Sequence, residues 1–195
     1  MPYQLLTSEA TFALGEIQTS KRGQKFAPIC ASQPLWQLTS LDDPLYCPFG
    51  AGVYQGNGTE TRLNLDVRLS AASLATFEVL DKRFKEAIEK KYKLKSSYHS
   101  VIHDDGEYGA RLRMKVSTQG MTAGMFWSPN KERLGTAKDI ETRGARIVPV
   151  VGFSKVWMMG GLHGVTLELR HAIVAQTLGQ EADFDWPMEV QEDPF

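Results

Sequence analysis

The sequence predicts a mainly β fold, a β-barrel with one inserted amphipathic helix and an acidic, disordered segment behind it. Three observations carry this: several strictly alternating segments, a single long stretch of helical period, and a sharp change of charge near residue 180. Arg62-Leu63-Asn64-Leu65-Asp66-Val67-Arg68-Leu69 places four apolar side chains on one face, because successive residues of an extended chain point to opposite sides. Arg111-Leu112-Arg113-Met114-Lys115-Val116 does the same, and its other face is wholly basic. Val165-Thr166-Leu167-Glu168-Leu169-Arg170 is a third such segment. Arg146 to Val151 and Phe153 to Met159 read as two further strands split at Gly152, the first weakened by Pro149, which cannot donate to a ladder.

One helix is predicted, from about Ala71 to Tyr92. Leu74, Phe77, Leu80, Phe84, Ala87 and Ile88 recur at steps of three and four, and Ser70 or Ser73 can cap the start. Its outer face mixes Lys82, Arg83, Lys85, Lys90 and Lys91 with Glu78, Asp81, Glu86 and Glu89, as a solvated surface does. Gly120 to Gly144 reads as a long loop or hairpin holding Phe126, Trp127, Lys131, Arg133, Lys138 and Arg143, and long loops in compact domains are often functional. Residues 1–45 carry no clear period.

Composition is ordinary for a globular domain: 42% hydrophobic and 23% charged residues over 195. No run approaches the roughly 18 apolar residues of a membrane span. The start, Met1-Pro2-Tyr3-Gln4, lacks the basic-then-apolar pattern of a signal peptide, so a soluble intracellular protein is expected. Cys30 and Cys47 form no CxxC pair or disulfide framework and are expected to be structural thiols. The net charge of −1 hides an asymmetry. Residues 1–179 hold all 22 basic residues against 17 acids, a balance of +5, whereas Glu181, Asp183, Asp185, Glu189, Glu192 and Asp193 stand in a segment without Lys or Arg. A basic body of this kind suits a polyanionic partner. The segment from Gly179 onward has too little apolar surface to offset its chain entropy and is expected to be disordered.

Enzyme signatures are weak. Gly50, Gly52, Gly56 and Gly58 are followed by an alternating strand rather than a helix, which makes them turn residues and not a phosphate loop. His99 and His103, with Asp104 and Asp105, could serve a metal-dependent nuclease, but Ser96, Ser97, Ser100 and Gly106 make this a turn and no third ligand cluster supports it. His163 and His171 accompany no nucleophile motif. No catalytic residue, cofactor or metal is expected.

Binding signatures are stronger. Holding a single strand of DNA takes cations to replace phosphate counterions and aromatic faces on which bases stack, at roughly 1–3 kcal/mol each. The strand Arg111, Arg113, Lys115 supplies cations that must face outward if its apolar side is core, although an ordinary basic sheet surface would look alike. Arg62, Arg68, Lys131, Arg133 and Arg143 add to them. Among Trp36, Phe49, Tyr54, Phe126, Trp127, Phe153 and Trp157 most are expected to be core. Phe126-Trp127 is the first choice as a stacking platform, since both rings cannot easily be buried beside Ser128-Pro129-Asn130-Lys131. Tyr54 is the second, and Trp157 stands one residue out of step with Val156 and Met158. The end of the chain, Glu192-Asp193-Pro194-Phe195, offers acids, a rigid proline and a ring together, which a basic-rimmed pocket on another protein can take. A plain solubility tail has no use for that ring.

The acidic segment resembles the tails of bacterial single-stranded-DNA-binding proteins, through Asp185, Glu189, Glu192, Asp193, Pro194 and Phe195. Asp193 stands where those tails place an apolar residue, which favours a viral type. The order of elements over residues 45–195 resembles the single-stranded-DNA-binding proteins of short-tailed phages, with Tyr54, the strand Arg62–Leu69, the helix Ala71–Tyr92, the strand Arg111–Val116, late strands and the tail. The resemblance implies an OB-like barrel over residues 1–179 and an interaction tail over 180–195. It implies sequence-independent binding of single-stranded DNA in replication, recombination or repair, in the cytoplasm of a bacterial host or at a site of viral DNA replication, with replication proteins recruited through the tail. An annealing recombination mediator is the alternative within that class and would add homo-oligomers. The nuclease comes last.

Overall fold

The computed structural model describes residues 3–53, 59–104 and 106–176. Five strands precede residue 40: β1 (Gln4–Leu5), β2 (Phe12–Leu14), β3 (Gln18–Thr19), β4 (Lys25–Ala31) and β5 (Trp36–Gln37). Then come β6 (Leu45–Tyr46), β7 (Arg62–Arg68), the helix α1 (Ala71–Tyr92), β8 (Ser97–His99) and β9 (Ile102–His103). The rest is β10 (Arg111–Ser117), β11 (Met125–Trp127), β12 (Arg133–Thr136), β13 (Arg146–Met159) and β14 (Leu162–Gln176). Among the described residues the fold is mainly β with one helix.

Strand pairing closes on itself. β13 pairs β6, β6 pairs β7, β7 pairs β10, β10 pairs β14, and β14 returns to β13. The alternating face of β7, Leu63, Leu65 and Val67, and that of β10, Leu112, Met114 and Val116, point into one core with Ile147, Val151, Leu167 and Leu169. Burial of these side chains, at roughly 1.5–3 kcal/mol each, is what the alternation encodes. The helix runs over the residues its period predicts. Ser70 accepts a hydrogen bond from Ser73 N at 3.3 Å, and Lys93 ends the helix in the left-handed conformation. Its buried face seats Phe77, Leu80, Phe84 and Ile88, with Phe84 edge-on to Phe153 of β13 at 5.0 Å between ring centres.

Residues 3–45 form an apron. β4 pairs β13 from Lys25 to Pro28, and β1 reaches β13 through β5. Phe12 of β2 lies 4.4 Å from the Phe84 ring, and Lys91 and Tyr92 donate to the carbonyls of Leu14 and Gly15. Cys47 is buried, which with Asp66 nearby pushes its thiol up to about 12, while Cys30 is exposed.

Two expectations for these strands fail. β13 is one strand and is not split at Gly152. Pro149 fits within it because a residue's N–H and C=O point to the same side of a strand. Its carbonyl accepts from Leu38 N on the β5 side, so the ladder to β14 needs no N–H from it. Gly120 to Gly144 holds a hairpin, β11 paired to β12, which is one of the two forms expected for it. Phe126 is fully buried and is no stacking platform. Neighbouring residues of β11 point to opposite faces, so Phe126 enters the core and Trp127 stays half-buried. Phe126→Ala is expected to cost about 3–5 kcal/mol in denaturant unfolding, and Trp127→Ala clearly less. Equal costs would contradict this division of the pair.

Candidate nucleic-acid interface

The outer face of β7 and β10 is built by register. Arg111 stands opposite Arg68, Arg113 opposite Asp66, and Lys115 opposite Asn64. Asp66 is 5% exposed and sits at the centre. Arg113 donates to both of its carboxylate oxygens at 2.8 Å, and Arg111 Nη1 stands 3.7 Å away. Hydrogen bonding to Asp66 raises the Arg113 pKa. Lys115 donates to Asn64 Oδ1, and burial, then Arg62 and Arg113, lower its pKa. Arg111 corrects the sequence reading. It lies on this outer face but is buried there, because Asp66 draws its charge and the rings of Phe49 and Tyr108 cover its guanidinium at 5.2 and 5.5 Å.

Beside this face runs a cleft of about 470 Å³. It brings together four cations, Arg62, Arg113, Lys115 and Lys155, and two histidines, His99 and His103, with Trp157 and Met159. No carboxylate lines it among the described residues. Sequence reasoning missed Lys155, and the reason is a β-bulge. Phe153 pairs Leu167 and Lys155 pairs Thr166, so Ser154 is the extra residue and the alternation changes phase there. Lys155, Trp157 and Met159 then share the cleft side. Lys155 also stands 5.4 Å from the ring centre of Phe26.

Trp157 lies opposite Gly164 of β14, and a glycine is needed there. A Cβ at Gly164 would meet the Trp157 ring at 2.9 Å and the His99 carbonyl at 2.7 Å. The Trp157 ring is 5.9 Å from the His99 ring, which is 5.2 Å from that of His103. The turn carrying both histidines hangs from the helix. Asp81, assigned from sequence to a solvated face, accepts from the Tyr98 hydroxyl at 2.7 Å and Val101 N at 3.0 Å. Buried His163 meets Ser96 Oγ at 2.8 Å from the other side. Burial first, then Arg113 and His99, lowers the His103 pKa.

The other predicted residues do not join this cleft. Arg68 lines a separate cleft of about 310 Å³ with Tyr46 and Arg146. Lys131 and Arg133 are exposed on the β11–β12 hairpin, and Arg143 is exposed in the segment before β13. Trp127 is set against His171, its Nε1 3.4 Å from Nδ1. Tyr54, Asp185, Glu189, Glu192, Asp193, Pro194 and Phe195 lie outside the described residues, as does Asp105. Among the described residues no three His, Cys, Asp or Glu side chains group closely enough to hold a metal ion. No described helix is long and apolar enough to cross a membrane.

No protein-family model matches the chain, and no curated protein does. Solved structures do. A single-stranded DNA-binding protein from bacteriophage Enc34, in complex with ssDNA, matches at a TM-score of 0.52 and 12% identity, over 83% of this chain and 94% of its own. The gp2.5 single-stranded DNA binding protein encoded by bacteriophage T7 matches at 0.50 and 11%, over 83% and 99%. The expected likeness to the phage type therefore holds for the fold.

Asp66→Asn keeps the shape of the face and removes the charge beneath Arg111. Breaking the pair that this buried carboxylate makes with Arg113 should cost about 3–5 kcal/mol in denaturant unfolding. A cost under about 1 kcal/mol, the range of exposed pairs, would contradict the role given to Asp66.

Proposed function

We propose that this chain binds single-stranded DNA without sequence readout and that the cleft between β10 and β13 holds the strand. One observation carries the reading: four cations and the half-buried ring of Trp157 line a single cleft with no carboxylate among its described residues. Cations exchange for the counterions of phosphates, and a ring takes any base, since every base has a π-face. The fold, shared with two phage proteins described as single-stranded DNA-binding, supports this reading. The chain then acts in viral replication, recombination or repair as a non-catalytic binder. Its acidic segment over 180–195 recruits a replication protein and competes with DNA for the cations.

Binding of a labelled oligonucleotide across salt tests this. Four cations at about 0.7 released counterions each give a log–log salt slope of roughly −3. Lys155→Ala should weaken binding and flatten that slope by about one ion's share. Trp157→Ala should cost about 1–3 kcal/mol of affinity. Absence of binding at low salt would end the reading. Truncation after Gly179 removes six acids and should tighten binding.

Affinity should also depend on pH through His103. Its pKa is lowered in the free protein. A bound phosphate favours the protonated ring, so binding takes up a proton, and affinity rises as pH falls toward the lowered pKa of the free ring. His103→Ala should flatten that rise, and an unchanged profile would place the phosphates elsewhere.

A further inference from the structure

We infer that the strand is gripped at a second base platform, built by His171, Trp127 and Tyr3 and reached from Trp157 along β14. This rests on the single-stranded-DNA reading above and adds a site to it. The first cleft does not stop at Lys115. A small cleft of about 130 Å³ shares Arg62 and Lys115 with it and continues to Thr122 and Glu168. A third, of about 560 Å³, shares Thr122 and Glu168 and ends on Arg170 and His171. The three clefts therefore adjoin through shared residues and lie along one strand, β14. From Gly164, opposite Trp157, to His171 is a rise of roughly 20 Å at about 3.3 Å per residue, which suits the shorter sites of about 4 or more nucleotides found on such folds.

A second bulge aims the residues at its far end. Val150 pairs His171 and Val151 pairs Leu169, so Arg170 is the extra residue on β14. Bulges re-aim side chains, and here both Arg170 and His171 line the cleft. Arg170 is fixed there by Glu168 Oε2 at 3.1 Å and the Thr122 carbonyl at 3.2 Å. The His171 ring is fixed by Trp127 Nε1 at 3.4 Å and lies nearly parallel to the Tyr3 ring, 22° apart with centres at 5.6 Å. Tyr3 is 40% exposed, and at the rim Met121 is fully exposed. Burial, then Arg170, lowers the His171 pKa, so at neutral pH it offers a base a flat face rather than a charge.

The competing account is that Tyr3 on His171 only clasps the start of the chain to the sheet. Two measurements on the full chain separate the accounts. In the first, a labelled oligonucleotide of about 12 nucleotides, within the usual range of site sizes, is titrated into the wild type, Trp157→Ala and His171→Ala. Loss of a stacked base corresponds to a loss of roughly tenfold. His171→Ala should show it as Trp157→Ala does. In the second, an oligonucleotide carrying photoreactive 5-iodouracil is cross-linked to the wild-type protein and the adducts are mapped, which needs no variant to fold. Adducts at Trp157 and at Tyr3, Trp127 or His171 are expected. If the wild type binds, Trp157→Ala weakens it, His171→Ala does not, and adducts are confined to the Trp157 end, the second platform is overturned and the first stands. If the wild type does not bind, both fall together.

Discussion

The long antiparallel pair of β13 and β14 is the constraint on which the rest of this structure depends. Thirteen residue pairs run from Arg146 opposite Gln176 to Met159 opposite Leu162, broken by register shifts. That ladder closes the circuit of strands, because β6 and β7 hang from one member and β10 from the other. The same pair receives the apron through β4 and β5, and the helix through Phe153 against Phe84. A regular ladder of this length would keep one face core and one face solvent from end to end. The bulges at Ser154 and Arg170 break that regularity, and both lie against the connected clefts. They bring Lys155 and Trp157 to one cleft and Arg170 and His171 to another.

Electrostatics imposes a second constraint. β7 and β10 place Arg68, Arg111, Arg113, Lys115 and Arg62 on adjacent positions of one sheet face, an arrangement that repels itself. Asp66 relieves it from beneath, as a buried carboxylate shared by Arg113 and Arg111. Glu168 does the same further along, between Arg62 at 2.5 Å and Arg170 at 3.1 Å. Cations held this way lose little side-chain freedom when an anion arrives. The two carboxylates therefore order the basic face for phosphate while moderating its charge.

Local order was legible in the sequence, and long-range order was not. The helix period gave Ala71 to Tyr92, and alternation gave the strands at Arg62 and Arg111, because both signals depend only on near neighbours. The apron was opaque. β1, β3 and β5 are two residues each, and their partners lie far along the chain. The basic face of β10 was legible as a pattern, but not the burial of Arg111, which Asp66 on another strand decides. Phe126 and Trp127 were read as one surface pair, although strand period assigns them to opposite faces. Lys155 was missed because a bulge shifts the phase of alternation at Ser154 and leaves no mark in the residue types. His99 and His103 stand out in the sequence as possible metal ligands, yet their place is beside Trp157, set by Asp81 on the helix.

The central claim is that the β10–β13 cleft, with Trp157 in its lining, is where a single strand of DNA lies. The four tryptophans of the chain give it a direct readout, since each indole N–H is a separate NMR signal. The full chain, labelled with nitrogen-15, is titrated with an unlabelled oligothymidylate at low salt. The account predicts that the Trp157 indole signal moves with saturation while that of Trp36, which is buried in the core, holds still. Saturable binding that leaves the Trp157 signal unmoved would contradict it.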